Sequence, residues 1–288
     1  MNEKDLKALE LDLLLESIQR RYGYDFRHYA QASLKRRVAS MVNLLSLEHI
    51  SEIIPQILRD DSVCNDFLRV MSITVTEMFR DPDFYALIRT KVVPYLKTYP
   101  ALKIWHAGCA TGEEVYSMAV ILKEEGLYQR TQIYATDFNN ESLDVAKAGI
   151  YPLDRMRLFM DNHNRSGTTS SLTEYYTADD DSARMSDALR ENITFANHNL
   201  VTDGVFGEMN LILCRNVLIY FDKMLQNRVL NLFRDSLSHR GFLCLGSKES
   251  LEFSPVAQEF EAVSRHERIF QKRGLPKASS LAGGRGGD

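Results

Sequence analysis

The stretch IWHAGCATGEEVYS, residues 104 to 117, sets out an apolar strand, a tight glycine turn and the opening of a helix. Such a turn is the usual place to bind a phosphate, because unpaired N–H groups and the helix dipole both attract an anion. Here the helix begins with two carboxylates, Glu113 and Glu114. Its ligand must therefore accept a close backbone approach and negative charge together. A second run, IYATD, ends on Asp137, 29 residues after Gly108, where an acid accepts hydrogen bonds from ribose hydroxyls. A third, LILCRNVLIYF, closes an apolar strand on Arg215 and Asn216, with Tyr220 following. A charged residue ending such a strand needs a partner, whereas Tyr220 alone reads equally well as a half-buried core tyrosine.

A pyrophosphate needs Gly-x-Gly-x-x-Gly and no anion at the turn. This turn has only Gly108 and Gly112, and Glu113 beside phosphate oxygens would cost roughly several kcal/mol. A cofactor with ribose but no phosphate, carrying an ammonium and a sulfonium, suits the site better. That is S-adenosyl-L-methionine, with S-adenosylhomocysteine as product. At least one of the two glutamates serves only the helix dipole, and the sequence leaves open which.

These residues need a parallel sheet to position them. After Pro82, strand-like runs (LKIWHA, TQIYATD, NITFANHN, EMNLILCRN, GFLCLGS) alternate with helical stretches, which implies βαβ units covered on both faces. In the helix after the glycine turn, Val115, Met118, Ala119 and Leu122 form one stripe, and Gly126 ends it. Residues 1–85 read as a small helical module. Within it SLKRRVASMVNLL places Leu34, Val38, Met41, Val42 and Leu45 on one stripe, with Ser33 as a candidate cap. Residues 86–272 form the α/β domain. A polar segment at about 152–192 is too long for a plain connection and is expected to fold as a small inserted subdomain, with a hairpin around ADDDSA. The Gly/Ser-rich end, 273–288, is expected to be disordered.

Composition bounds the rest. Apolar residues at 44% and charged ones at 26% are ordinary for a soluble globular chain, and no apolar run approaches the roughly 18 residues of a membrane span. The four cysteines and seven histidines have no metal-ligand spacing, so reduced thiols, a cytosolic setting and no metal are expected. A net charge of −4 argues against nucleic acid. Between Arg20 and Arg37, six basic residues stand against Asp25 alone. That is either a solvated helix face or a docking surface for an acidic protein.

The chain resembles the chemotaxis receptor methyltransferases, the CheR family, from about residue 10 to 272. TVTEMFRDPDFY (74–85), GCATGEEVYS (108–117), ATDFNNESLDVAKAGIY (135–151) and LCRNVLIYFD (213–222) carry the resemblance, supported by ITFANHNL (193–200) and LGSKESL (245–251). It implies an N-terminal all-α domain and a class I S-adenosylmethionine-dependent methyltransferase domain. That domain would be a doubly wound sheet with a final antiparallel strand, into which a small β-subdomain is inserted. The implied activity is methyl transfer to glutamate side chains of the cytoplasmic domain of methyl-accepting chemoreceptors, by a cytoplasmic enzyme without membrane insertion, expected to be a monomer.

Residue by residue, the resemblance implies Thr74, Thr76 and Arg80 on the cofactor, with Arg80 against its carboxylate. Gly108 would form the turn, Glu113 or Glu114 take the ammonium and Asp137 the ribose. Asn199 and Leu200 would hold the adenine, and Asn216 would help hold the cofactor. Arg215 and Tyr220, with Arg80, would lie at the transferred methyl, Arg215 as a clamp for the incoming carboxylate. Lys35, Arg36 and Arg37 would meet the acidic receptor helices. Members often have Asn at Thr74, Phe at Met78 and Pro at Val115; none of these departures removes a charge. Tyr175 to Asn192 lacks the glycine-containing insertion with which some members grip a receptor C-terminal peptide, so a peptide-independent member is expected. A non-catalytic sensor of the same cofactor and an NAD(P)-dependent oxidoreductase are the competing readings, disfavoured by the presence of Arg80, Arg215 and Tyr220 and by the missing third glycine respectively.

Overall fold

The computed structural model describes residues 1–72 and 76–274; Thr74 and residues 275–288 of the expected tail lie outside them. Helices α1 (Glu3–Tyr22), α2 (Gln31–Leu44), α3 (Ile53–Ile57) and α4 (Asp61–Met71) come first. Next, α5 (Pro82–Leu87) runs through a wide π turn at Ile88–Val92 into α6 (Val93–Leu96). Pro94 has no amide hydrogen to return to Thr90, and the widened turn immediately precedes it. The α/β part follows as β1 (Leu102–Ala107), α7 (Glu113–Glu124), β2 (Thr131–Asp137) and α8 (Asn140–Ala148). The insertion is β3 (Ile150–Pro152), α9 (Leu153–Arg165), β4 (Tyr176–Ala178) and β5 (Ser182–Met185). The chain then forms β6 (Ile193–Asn197), β7 (Met209–Cys214), α10 (Lys223–Ser236), β8 (Leu237–Leu245), β9 (Phe260–Ser264) and β10 (Ile269–Lys272).

The seven-stranded sheet has the order β6-β2-β1-β7-β8-β10-β9. Its first five strands are parallel, and β10 is antiparallel to both neighbours. The chain steps outward from β1 to β2 and β6 and then crosses back to β7 on the other side of β1, which makes the carboxyl ends of β1 and β7 the place for a ligand. Period-two alternation sorts the side chains. Ile104, Leu211, Leu213, Phe242 and Cys244 pack on the α7 face, while Trp105, Ala107, Ile212, Leu243 and Leu245 pack on the α10 face. Among the described residues, no helix is long and apolar enough to cross a membrane.

The helical module extends the α10-side core through Phe26, Leu34, Phe67 and Met71, but Met78 to Leu96 join the α7 side. The chain thus changes core between Met71 and Met78, ahead of the boundary expected at residue 85. Phe79, Phe84 and Tyr85 fill space against α7 although no strand pattern has yet begun. The module is also stitched to the loop after β7. Ala30 N–H donates to the Tyr220 carbonyl at 2.7 Å and Asp222 N–H to that of His28 at 2.8 Å, forming a short bridge beside Tyr29 and Phe221. Ser33 does not cap α2, whose N-cap is Ala30; its hydroxyl lies inside the first turn and accepts from Arg37 Nε at 3.2 Å.

Helix α7 is buried on nearly every side from Val115 to Leu122, and not along one stripe, because the insertion covers its outer face. That insertion is a three-stranded sheet, β3-β5-β4, whose β4–β5 hairpin turns at the expected ADDDSA segment. At the far end of α7, Glu124 joins the subdomain to the body. It accepts from His163 Nε2 at 3.0 Å and Thr168 Oγ1 at 2.7 Å, as well as from Arg89 and Ser170. Burial alone would raise its carboxyl, but these bonds outweigh burial and bring it down to about 2. A carboxylate depressed by folding stabilises the fold above its unfolded value of about 4.3, and loses that contribution as pH falls towards about 2. Replacing Glu124 with Gln should cost about 3 kcal/mol at neutral pH. It should also flatten the fall in melting temperature below pH 5, as followed by circular dichroism; an unaltered acid profile would remove Glu124 from this role.

Candidate active site

A cavity of about 370 Å³ opens at the carboxyl ends of β1 and β7. Gly108 stands at φ +81° and Gly112 at +91°, and a Cβ on Gly108 would lie 2.6 Å from a Val217 methyl. Only glycine combines that backbone angle with so close an approach. The turn does not present its amides to a ligand. Gly108 and Cys109 N–H both donate to the Thr136 carbonyl (2.8 and 2.9 Å), and Gly112 N–H donates to that of Cys109 at 3.0 Å. Ala110 N–H donates to Asp137 Oδ2 at 3.0 Å. With four N–H groups occupied internally, the turn is not an anion cradle, and the acids around it face no phosphate requirement.

The two glutamates separate. Glu113 is fully buried away from the cavity, accepting from Thr111 Oγ1 at 2.6 Å and Arg155 at 3.0 Å. Arg155 belongs to α9 and also reaches the Thr76 carbonyl. Glu113 therefore leaves the expected cofactor set: it pins the insertion to the start of α7. Glu114 lines the cavity, held by His106 Nδ1 at 2.9 Å and by Arg215 at 3.5 Å. Burial pushes its carboxyl up, but the His106 hydrogen bond, followed by the His106 and Arg215 charges, outweighs burial and leaves it below the usual range. It stands as a carboxylate at the cavity wall.

Arg215 also lines the cavity, but not as an open clamp. Its side chain is only 3% exposed. It donates to Asp81 Oδ2 at 2.6 Å, to the Arg80 carbonyl at 3.3 Å and to Glu114, while its guanidinium lies 4.1 Å from the Phe84 ring centre. The fork is already engaged, because a buried charge ending an apolar strand must find partners within the protein. Around it the backbone is strained: Phe79, Asp81, Ala110 and Asn216 all adopt left-handed conformations (φ +53°, +59°, +48° and +63°). Such angles in non-glycine residues persist only where the surroundings over-determine them.

Thr76, Arg80, Gly108, Asp137, Asn199, Leu200, Asn216 and Tyr220 all line the same cavity. Asp137 is fixed by N–H bonds from Ala110 and Asn139, and burial raises its carboxyl despite them. Asn199 is held in a tight turn with Asp203, whose carboxylate accepts its N–H at 2.8 Å. Of the basic run, Lys35 and Arg36 are exposed. Arg37 departs from its expected place on the docking face: it is buried, bonded to the Val70 and Met71 carbonyls at the end of α4, and lies 4.9 Å from the Tyr220 ring centre. Helical spacing turns it 100° from Arg36, onto the side of Leu34 and Val38.

Sequence reading missed His106, Tyr29, His198 and Lys248; the last three line the cavity. His106 was accessible through strand parity, since Leu102 and Ile104 face α7 and residue 106 must do so too, beside Glu114. The other three come from separate loops, and nothing local to them marks convergence.

Two family models match the chain in succession: "CheR methyltransferase, all-alpha domain" over residues 9–72 and "CheR methyltransferase, SAM binding domain" over residues 74–269. Cher3 of Pseudomonas putida is 50% identical over 264 residues, covering 92% of this chain and 97% of that protein. Chemotaxis protein methyltransferase 1 of Vibrio cholerae is 29% identical, covering 84% of this chain and 88% of its own length. The chemotaxis protein methyltransferase of Listeria innocua is 28% identical over 81% of this chain and 87% of its own length. A cavity lined by Glu77, Glu114 and Asp137 alongside Arg80, Arg215 and Lys248, on a sheet with a final antiparallel strand, agrees with these matches, and the chain belongs to the CheR family of S-adenosylmethionine-dependent methyltransferases.

Proposed function

We propose that the enzyme methylates the γ-carboxylate of specific glutamates in chemoreceptor cytoplasmic helices, giving glutamyl methyl esters. The observation that carries this reading is the bridge between the module and the site. Residues 28–30, directly preceding α2, are hydrogen-bonded to Tyr220 and Asp222. Lys35 and Arg36 of α2 are exposed, and Arg36 is near enough to Tyr220 to act on its phenol electrostatically, which gives a surface suited to an acidic helix. The relatives named as chemotaxis methyltransferases support the same substrate class.

The cavity fits S-adenosylmethionine by charge: carboxylates at Glu114 and Asp137 suit an ammonium and a ribose, and the occupied amides of the turn offer nothing to a phosphate. When bound, the cofactor supplies a methyl group activated by a positively charged sulfur. In this reading Glu114 takes the ammonium, Asp137 the ribose hydroxyls, Asn199 and Leu200 the adenine, and Arg80 the carboxylate, with Thr76 and Asn216 closing the wall. A substrate glutamate, with an ordinary pKa of about 4.3, is already a nucleophile at neutral pH. The site must align it and exclude water rather than remove a proton. Burial holds the Tyr220 phenol above its usual value, although Arg37 and Arg80 pull the other way, so it is a hydrogen-bond donor at neutral pH. Tyr220 is thus the group that orients the incoming carboxylate. Arg215 is assigned to holding Glu114 and Asp81 in place.

The glutamates and Arg215 can be distinguished by calorimetric titration with S-adenosylhomocysteine. Glu114→Gln and Arg215→Ala should each weaken binding by about 10-fold or more, the loss of a charge-assisted contact. Glu113→Gln should mainly lower the melting temperature. An Arg215→Ala protein with full affinity and no turnover would restore the clamp role.

For the substrate, incubation of a receptor cytoplasmic fragment with methyl-labelled cofactor should place label that mild alkali releases as methanol, and alkali-stable label would overturn the ester assignment. Lys35→Glu with Arg36→Glu should raise KM for the fragment about 10-fold at low salt, with the difference shrinking as ionic strength rises. Affinity for S-adenosylhomocysteine should not change.

A further inference from the structure

The segment LGSKESL contains a buried acid, Glu249, that none of the roles above uses. The residue is 4% exposed, and among the described residues its carboxylate forms no ion pair. Instead it sits among backbone amides: Oε2 accepts from Gly246 N–H at 2.6 Å and Asn216 N–H at 3.1 Å, and Oε1 from Ile219 N–H at 3.3 Å. Glu249 N–H returns to the Gly246 carbonyl at 2.9 Å, closing a tight turn. The loops after β7 and β8 meet there without slack. A Cβ on Gly246 would stand 2.7 Å from Asn216 N and 2.9 Å from Glu249 Oε2.

Two of the three amides belong to the part of the chain that carries the chemistry. Asn216 follows Arg215 and holds a left-handed backbone at φ +63°; Ile219 precedes Tyr220. An ionised acceptor makes stronger bonds to such N–H groups than a neutral one, and converging amides leave a neutral side chain with unmet donors. We propose that Glu249 is a positioning residue for methyl transfer: its carboxylate serves as an internal anion around which the 215–220 loop is shaped, setting Tyr220 relative to the cofactor. Of the residues assigned to the cofactor, only Asn216 lies on this loop, while Glu114, Asp137, Asn199 and Leu200 lie elsewhere, so the effect falls on turnover more than on cofactor binding. This inference rests on the reading of Tyr220 as the group that orients substrate.

The test compares Glu249→Gln and Glu249→Ala with the wild-type chain in three measurements: affinity for S-adenosylhomocysteine, kcat and KM for methylation of a receptor fragment, and hydrogen exchange of peptides spanning 214–220 and 244–249. The alanine variant should lose about 100-fold in kcat, the scale of an ångström-level misplacement, with affinity changed less than about threefold. Both peptides should exchange faster. The glutamine variant keeps an acceptor at the Oε2 position and should recover part of kcat, falling about 10-fold short of wild type. Wild-type kcat in both variants with only a lower melting temperature would make Glu249 a plain structural brace. Affinity falling in step with kcat would make it part of the cofactor pocket, and either result overturns the proposal. Should the wild type methylate no receptor fragment, the substrate reading fails, and the exchange data still decide the inference: unchanged protection of both peptides in the variants overturns it. If the alanine variant does not fold, the glutamine variant carries the same measurements.

Discussion

A guanidinium withdrawn from water must be paid for by partners, and Arg215 is the charge around which this site is organised. Its two terminal nitrogens pair with Asp81 and Glu114, one on the segment leading into α5 and the other on the first turn of α7. That pairing ties together three stretches far apart in sequence. It also bears on Asp81, whose backbone is held in a left-handed conformation. Breaking a buried pair on one side leaves an uncompensated charge and costs several kcal/mol, roughly. The arrangement therefore fixes the cavity wall before any ligand arrives. Glu114 is poised as an anion by His106 and Arg215 together.

The same economy of donors governs the glycine turn. In a nucleotide site of the phosphate-binding kind, the turn's amides are kept open for the ligand. Here four of them are taken up by Thr136, Cys109 and Asp137, so the turn becomes a rigid support for the acid that ends β2. Fold and ligand class are thus separable: an α/β sheet with strand reversal at β1 sets where the ligand sits, and the disposition of N–H groups and carboxylates sets what it is.

Much of this was legible in the sequence. The strand–turn–helix at 104–117, the acid ending β2 and the Arg–Asn pair ending β7 each follow from local pattern, and the structure brings them to one cavity. What the sequence could not decide depended on packing from elsewhere. Glu113 and Glu114 are equivalent on a helix start until α9 brings Arg155 against one and β1 brings His106 against the other. Arg37 reads as one more surface cation until the end of α4 supplies carbonyls to receive it. The all-round burial of α7 likewise reflects the insertion, whose polar composition gives no hint of the face it covers.

The bridge between residues 28–30 and the loop carrying Tyr220 has a thermodynamic consequence. The segment that introduces α2 and the tyrosine at the cavity share hydrogen bonds, so neither can change position without the other feeling it. Where two binding surfaces are joined by one such element, their free energies of binding are linked and the coupling is reciprocal. If α2 docks an acidic helix as proposed, a ligand that tightens the tyrosine loop would sharpen that docking, and the docked helix would return the same factor to the ligand. Occupancy of the small pocket and occupancy of the protein surface would then be a single cooperative event.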